Sequence, residues 1–317
     1  MNRVITLTLN PAIDQTVSVD HLVPGAVHRA VSSVQNAGGK GVNVASCLAD
    51  WGVPVSAHGL LGADNAAPFE ALFAAKGIAD RFVRRVGATR VNLKLVDTVG
   101  TTDINMDGAP ADTQQVEAVI ASVLAKAGPD TLVVLAGSLP PGCPADIYAR
   151  VIAQLDGSGA VVLLDTSGEP LRTALDAPVL PDIVKPNAHE LSEWLGASLD
   201  NPDAVRDAAL RLHRTGVGLV AVSLGEHGAY FRSEAGALTA KLTAANVAST
   251  VGAGDAMVAG IAAAVAQGGD LLRIARLSTA FAVGKLGLAG PNLPDTNTIA
   301  ALAEQVAIDT DVAGDNT

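Results

Sequence analysis

Cysteine, aromatic residues and positive charge are all scarce in this chain. Two cysteines, Cys47 and Cys143, occur in 317 residues. They stand far apart and without metal-ligand spacing, which excludes a disulfide framework and suits a reducing cytoplasm. Aromatic residues are 3% of the chain, so the core has to come from Ala, Val, Leu and Ile, and a hydrophobic content of 49% supplies it. Lys and Arg number 21 against 32 Asp and Glu, a net charge of −11. A field of that sign opposes nucleic acids and anionic membranes as partners. An anionic small substrate would need a local basic pocket. No stretch approaches the ~20 apolar residues of a membrane span. The opening MNRVITLTLNPAID alternates like a strand and lacks the apolar run of a signal peptide.

What is present is an α/β rhythm. VITLTLN (4–10) alternates with period two and reads as a strand. QTVSVD (15–20) and HRAVSSVQNAG (28–38) read as half-polar strands, and KGVNVASCLADWG (40–52) has helical spacing ending at a glycine. ATRVNLKLVD (88–97) and TTDINMDG (101–108) suggest a hairpin around Val99 and Gly100. Beyond residue 111, short apolar strands at 131–137, 160–165, 182–187 and 218–225 alternate with helix-length segments, the pattern of a parallel sheet buried on both faces. The expected organisation is one α/β domain from 1–10, 37–87 and 109–310. Half-polar strands at 11–36 and 88–108 would form a separate lid, and 311–317 a frayed tail. Polar residues cluster in AGSLPPG, DTSGE, KPNAHE and SLGEHG, at the carboxyl ends of the strands, where open α/β sheets bind ligands.

The segment TVGAGD (250–255) raises a question of charge. Gly252, Ala253 and Gly254 precede a helix whose free N–H groups suit an anion, yet Asp255 stands in the first turn. A carboxylate there can take the proton of a hydroxyl that attacks a phosphoryl group held by the loop. The same spacing also fits a carboxylate that merely favours the helix dipole. Neither a Walker A loop nor a full dinucleotide fingerprint is present, because Met257 occupies the third glycine position. In KPNAHE, Asn187 and Glu190 fit a helix cap or oxygen ligands for Mg2+, with Lys185 near a nucleotide phosphate. NAGGKGVN (36–43) is a strand-to-helix turn or a close backbone approach to a sugar, with Lys40 and Asn43 as polar contacts. Arg90, Asn92 and Lys94 fall on alternate positions of a strand, as a solvated face or as a phosphate grip.

Together, TLNPAID, GGKGVNVA, AGSLPPG, KPNAHE, SLGEHGA and TVGAGDAMVAG resemble, in order and spacing, the PfkB (ribokinase-like) carbohydrate kinases over nearly the whole chain. TLNPAID resembles the phosphosugar-kinase branch, and TRVNLK followed by TDIN is similar to its fructose-1-phosphate members. The resemblance implies a three-layer α/β/α fold with a mostly parallel sheet and a small β-sheet lid, which often also forms a dimer interface. It implies ATP and Mg2+, and phosphorylation of fructose 1-phosphate at the 6-hydroxyl. Fructose 6-phosphate, tagatose 6-phosphate and a catalytically silent sugar-phosphate sensor are the alternatives. Residue by residue, Asp255 would be the base, with Gly252, Ala253 and Gly254 as the anion hole. Asp14, Gly38, Gly39 and Asn43 would hold the sugar. Lys40, Arg90, Lys94 and Ser138 would meet its phosphate, with Asn92 and Asn105 nearby. Asn187 and Glu190 would organise Mg2+. Lys185, Asn187, Ser223, Gly225, Gly228 and Ser249 would border the nucleotide.

Overall fold

The computed structural model describes residues 1–317 apart from 2, 246, 248, 249, 289 and 311–317. The expected frayed tail therefore lies outside the described residues. In chain order the strands are β1 (Arg3–Thr8), β2 (Ala12–Ser18), β3 (Ser32–Gly38), β4 (Val55–Gly62), β5 (Ala79–Arg85), β6 (Val91–Val96) and β7 (Thr101–Ile104). There follow β8 (Thr131–Ala136), β9 (Val161–Asp165), β10 (Ile183–Val184), β11 (Leu219–Ser223), β12 (Ala229–Ser233), β13 (Gly236–Lys241) and β14 (Ala307–Thr310). The α-helices are α1 (Lys40–Asp50), α2 (Ala67–Lys76), α3 (Thr113–Leu124), α4 (Ile147–Leu155), α5 (Gly168–Leu175), α6 (Ala188–Leu195), α7 (Pro202–Arg214), α8 (Ala253–Ala266), α9 (Leu271–Leu286) and α10 (Thr296–Gln305).

Ten strands form one sheet in the order β14-β13-β12-β11-β10-β9-β8-β1-β4-β5. From β5 to β11 every pairing is parallel, and β12, β13 and β14 add an antiparallel margin. Side-chain alternation sorts the core into two layers. Leu132, Val134 and Ala136 of β8 face α1, α8 and α9, whereas Val133 and Leu135 face the α3–α7 side. Both faces are thus covered, as an apolar parallel sheet requires. No helix among the described residues is long and apolar enough to cross a membrane.

The half-polar strands leave this sheet and build a second one, ordered β3-β2-β6-β7. The hairpin around Val99 and Gly100 forms, with Val96 opposite Thr101. The strand β10 covers only Ile183–Val184 of the expected 182–187, because Pro186 has no N–H to give the ladder; a lone bridge from Asn187 to Ser223 follows it. β4 and β5 carry His58, Gly59, Arg81 and Arg84, which break the apolar pattern that marks their neighbours.

The α8–α9 pair sets the edge of the site. Gly260 lets the two helices touch: a Cβ there would lie 2.5 Å from Ser278 Cα. Gly260→Val is expected to cost about 1–3 kcal/mol by overpacking this contact, read as a lower urea midpoint.

Candidate active site

Two helix starts meet above the carboxyl end of the central sheet. α1 follows Gly39, at φ 106°, and Gly38 passes so close to Asp14 that a Cβ would sit 2.7 Å from its Oδ2. α8 follows Gly252, at φ 82°. Among the described residues no side chain caps the first turn of α8, and the positive end of its dipole faces the space before it. Asn43, in the first turn of α1, donates from Nδ2 to Oδ2 of Asp255 at 2.7 Å.

Asp255 is 8% exposed. Burial, reinforced by the nearby Asp165 carboxylate, pushes its carboxyl up to about 6, against the pull of Lys40, the Asn43 bond and Lys185. Ionised at pH 7 yet basic for a carboxylate, it is suited to take a proton. A cavity of about 490 Å³ opens beside it, lined in part by Asp14, Asn43, Lys94, Gly252 and Lys285. Across its floor, Asp14 accepts from Asn92 Nδ2 at 3.1 Å.

The lysines of GGKGVN and KPNAHE turn inward. Lys40 Nζ and Lys185 Nζ lie 3.2 and 3.3 Å from the same oxygen, Oδ1 of Asp165. Burial alone would raise the Asp165 carboxyl, but the two ammonium groups prevail and hold it below the ordinary range. Burial would likewise lower Lys40, yet Asp165, Asp255 and Glu190 together raise it. Sequence reasoning did not single out Asp165. Its signal was a lone carboxylate ending the wholly apolar run AVVLL.

Arg90 and Lys94 do not converge. β6 starts at Val91, one residue past Arg90, whose guanidinium donates to the carbonyls of Asn10, Pro11 and Met106. Arg90 lines a second cavity of about 360 Å³ with Asn10, Asp107 and Ser138. Lys94 instead faces the Asp255 side and pairs with Asp103 at 3.3 Å. Asn105 is exposed just past β7 and lines neither cavity.

Asn187 and Glu190 form the capping box of α6: each side chain accepts the other's backbone N–H at 2.8 Å. Among the described residues no cluster of three or more His, Cys, Asp or Glu could hold a metal ion. Ser223 ends β11 and bridges to Asn187, while Gly225 and Gly228 flank the next turn with positive φ. Ser249 lies outside the described residues.

Residues 7–297 match the pfkB family carbohydrate kinase profile. The chain belongs to this family. The kinase is 50% identical over 313 residues to the 1-phosphofructokinase of Rhodobacter capsulatus, an alignment covering 97% of this chain and 98% of the relative. Phosphofructokinase-2 from Escherichia coli in complex with potassium superposes with a TM-score of 0.90 at 28% identity, over 96% of this chain and 99% of that one. The same enzyme in complex with fructose-6-phosphate gives 0.88 at 27% identity, over the same shares of each chain. The kinase accordingly has the ribokinase-like fold expected from its motifs, and ATP is the phosphoryl donor its family implies.

The raised carboxyl of Asp255 makes a stability prediction. A carboxyl held above its unfolded value binds its proton more tightly when folded, so the ionised form costs stability above about pH 6 and the cost fades as pH falls towards 4. Asp255→Asn should therefore gain up to about 3 kcal/mol over the parent at pH 8 and nothing at pH 4, as measured by urea unfolding at the two pH values.

Proposed function

We propose that the chain is a 1-phosphofructokinase: it moves the γ-phosphoryl group of ATP to the 6-hydroxyl of D-fructose 1-phosphate, giving fructose 1,6-bisphosphate and ADP. The observation that carries this reading is the Asp255 carboxylate beside the uncapped start of α8. The 6-hydroxyl oxygen attacks the γ-phosphorus in line and its proton passes to Asp255. The bond from that phosphorus to the bridging oxygen breaks, and ADP carries the electron pair away. The N–H groups of Gly252, Ala253 and Gly254 receive the transferring oxygens, so anion and carboxylate serve different partners.

Asp14, Asn43 and the backbone at Gly38 and Gly39 offer the hydroxyl contacts of a sugar. Its existing phosphate fits the Arg90 cavity, where the guanidinium keeps N–H groups beyond its three backbone bonds and Ser138 adds a hydroxyl. Lys94 adds charge from the small sheet, and Lys40 acts through its shared carboxylate. Lys185, Asn187, Ser223, Gly225 and Gly228 border the nucleotide.

The donor set fits Mg2+ held mainly by nucleotide phosphates and water, with Asn187 and Glu190 in support, since Glu190 spends one carboxylate oxygen on the cap. When bound, that ion screens phosphate charge. The small sheet serves as a lid whose residues Asp14, Thr16 and Lys94 line the cavity over α8, and closure would exclude water. The strand β3 lies at the edge of the small sheet and exposes Val34, an edge suited to pairing two lids in a homodimer. Free thiols at Cys47 and Cys143 fit a reducing cytoplasm.

The test is turnover with Mg-ATP on fructose 1-phosphate, fructose 6-phosphate, tagatose 6-phosphate and fructose. The highest kcat/KM is expected for fructose 1-phosphate, falling as pH drops through about 6, where Asp255 gains its proton. A preference for a 6-phosphate sugar would reassign the substrate, and no turnover on any would favour a sensor. Asp255→Asn should lower kcat by about 10² or more; near-normal turnover would remove Asp255 as the base. Arg90→Ala should raise KM for the phosphosugar about tenfold or more while leaving KM for ATP within about twofold, and Lys94→Ala should do so less, its charge being shared with Asp103. Equal effects on both substrates would argue against the phosphate grip.

A further inference from the structure

Residues 291–293 belong to no helix or strand, yet each is gripped by a side chain from outside the segment. The Pro291 carbonyl oxygen accepts from Ser46 Oγ, Asn292 Oδ1 accepts from Lys76 Nζ at 2.9 Å, and the Leu293 N–H donates to Asp50 Oδ2 at 2.9 Å. Lys76 ties these bonds together, because its Nζ also donates to Ser46 Oγ and to Asp50 Oδ2, each at 2.7 Å. Ser46 and Asp50 lie one turn apart on α1, and Lys76 is the last residue of α2. The gripped segment is part of a cavity wall: Gly290 and Pro291 line the space beside Asp255. A Cβ on Gly290, at φ 68°, would lie 3.3 Å from Asn36 Oδ1, and Asn36 stands opposite Asp14 in the small sheet.

A lysine that ends a helix commonly serves that helix's last carbonyls and the negative end of its dipole. Lys76 instead spends its N–H groups on α1 and on Asn292. Its side chain and that of Asp50 are only 15% and 20% exposed. A pair so enclosed gains little over apolar residues of the same size, since desolvation offsets the attraction. What the pair does fix is one arrangement. With Ser46, it sets the path of a segment that has no ladder of its own. That path decides how near the large domain comes to Asn36 across the cavity and, through β3, to Asp14.

We propose that Lys76 and Asp50 are positioning residues for the sugar site. Their ion pair holds 290–293 as a stop against which the small sheet seats, and so fixes how Asp14 on that sheet stands relative to Asp255 on α8. Neither residue is among those that line the cavity; both act through the wall. Without the clamp the wall recedes, the sugar loses its alignment with Asp255, and water reaches the phosphoryl group. In naming a sugar, this inference rests on the kinase reading above.

Two variants test it. Lys76→Met keeps the stem and loses the charge. Lys76→Met combined with Asp50→Leu removes the partner as well, so that no enclosed charge is left unpaired, and its urea midpoint should lie above that of Lys76→Met alone. The double variant should nonetheless keep a KM for fructose 1-phosphate raised about tenfold, with KM for ATP within about twofold of the parent. It should also release more ADP than fructose 1,6-bisphosphate, where the parent releases the two in equal amounts. A pair that served stability alone would leave the double variant with parental KM values and equal yields, and that result overturns the proposal. So does an equal rise in both KM values. Should these variants fail to fold, Asn292→Ala, which removes one acceptor from the clamp, must show the same split in smaller measure; parental KM values there refute the role. The kinase reading fails separately, if the parent turns over no sugar. Amide hydrogen exchange then decides: in the double variant Asn292, Leu293 and the amides of β3 should exchange at least about tenfold faster than in the parent, with β11 unchanged. Faster exchange at Asn292 and Leu293 without β3 would mean that the clamp does not reach the small sheet, and would refute the proposal.

Discussion

The hydrogen bond from Asn43 to Asp255 joins residues 212 positions apart, and the site depends on it. Both residues sit in first helical turns, so the bond can form only if α1 and α8 begin at the same place. Small residues make that possible. Gly41 lets α1 press onto β1, where a side chain would collide with Thr8, and Gly260 lets α8 press onto α9. Only then do an open dipole end and a buried carboxylate face one cavity.

Burial sets the charge states of the site, and it does so by context. Asp255 and Asp165 are both carboxylates shut away from water, and desolvation raises both. Asp165 has two ammonium groups within 3.3 Å and stays low; Asp255 has an amide for a partner and rises to about 6. One therefore anchors lysines while the other can exchange a proton. An acidic chain can accommodate anionic substrates by this means: Lys40, Arg90, Lys94, Lys185 and Lys285 stand around the site in spite of a net charge of −11.

The small sheet illustrates a division of labour between local and distant structure. Its strands are half-polar because one face meets solvent and the other a ligand cavity, and that alternation is readable from QTVSVD or TRVNLK alone. Which cation points into which cavity is not readable. Arg90 precedes its strand by one residue and is drawn to three backbone carbonyls, while Lys94, on the strand, faces the start of α8. Alternate positions share a face only where the strand actually exists. Lys285, from the last turn of α9, reaches the same cavity from a third element.

By itself the sequence determined the two-sided sheet, the separate half-polar strands, the glycine turns that open α1 and α8, and the identity of Asp255, Asn43, Asn187 and Glu190 as residues at strand-to-helix joints. These rest on periodicity and turn chemistry, which act over a few neighbouring residues. Tertiary structure decided that Asn43 meets Asp255, that Lys40 and Lys185 share Asp165, that Arg90 and Lys94 part company, and that Lys285 reaches Gly252. Those pairings follow from helix contacts across the sheet and from the loss of water around each charge, and neither is written in the local pattern.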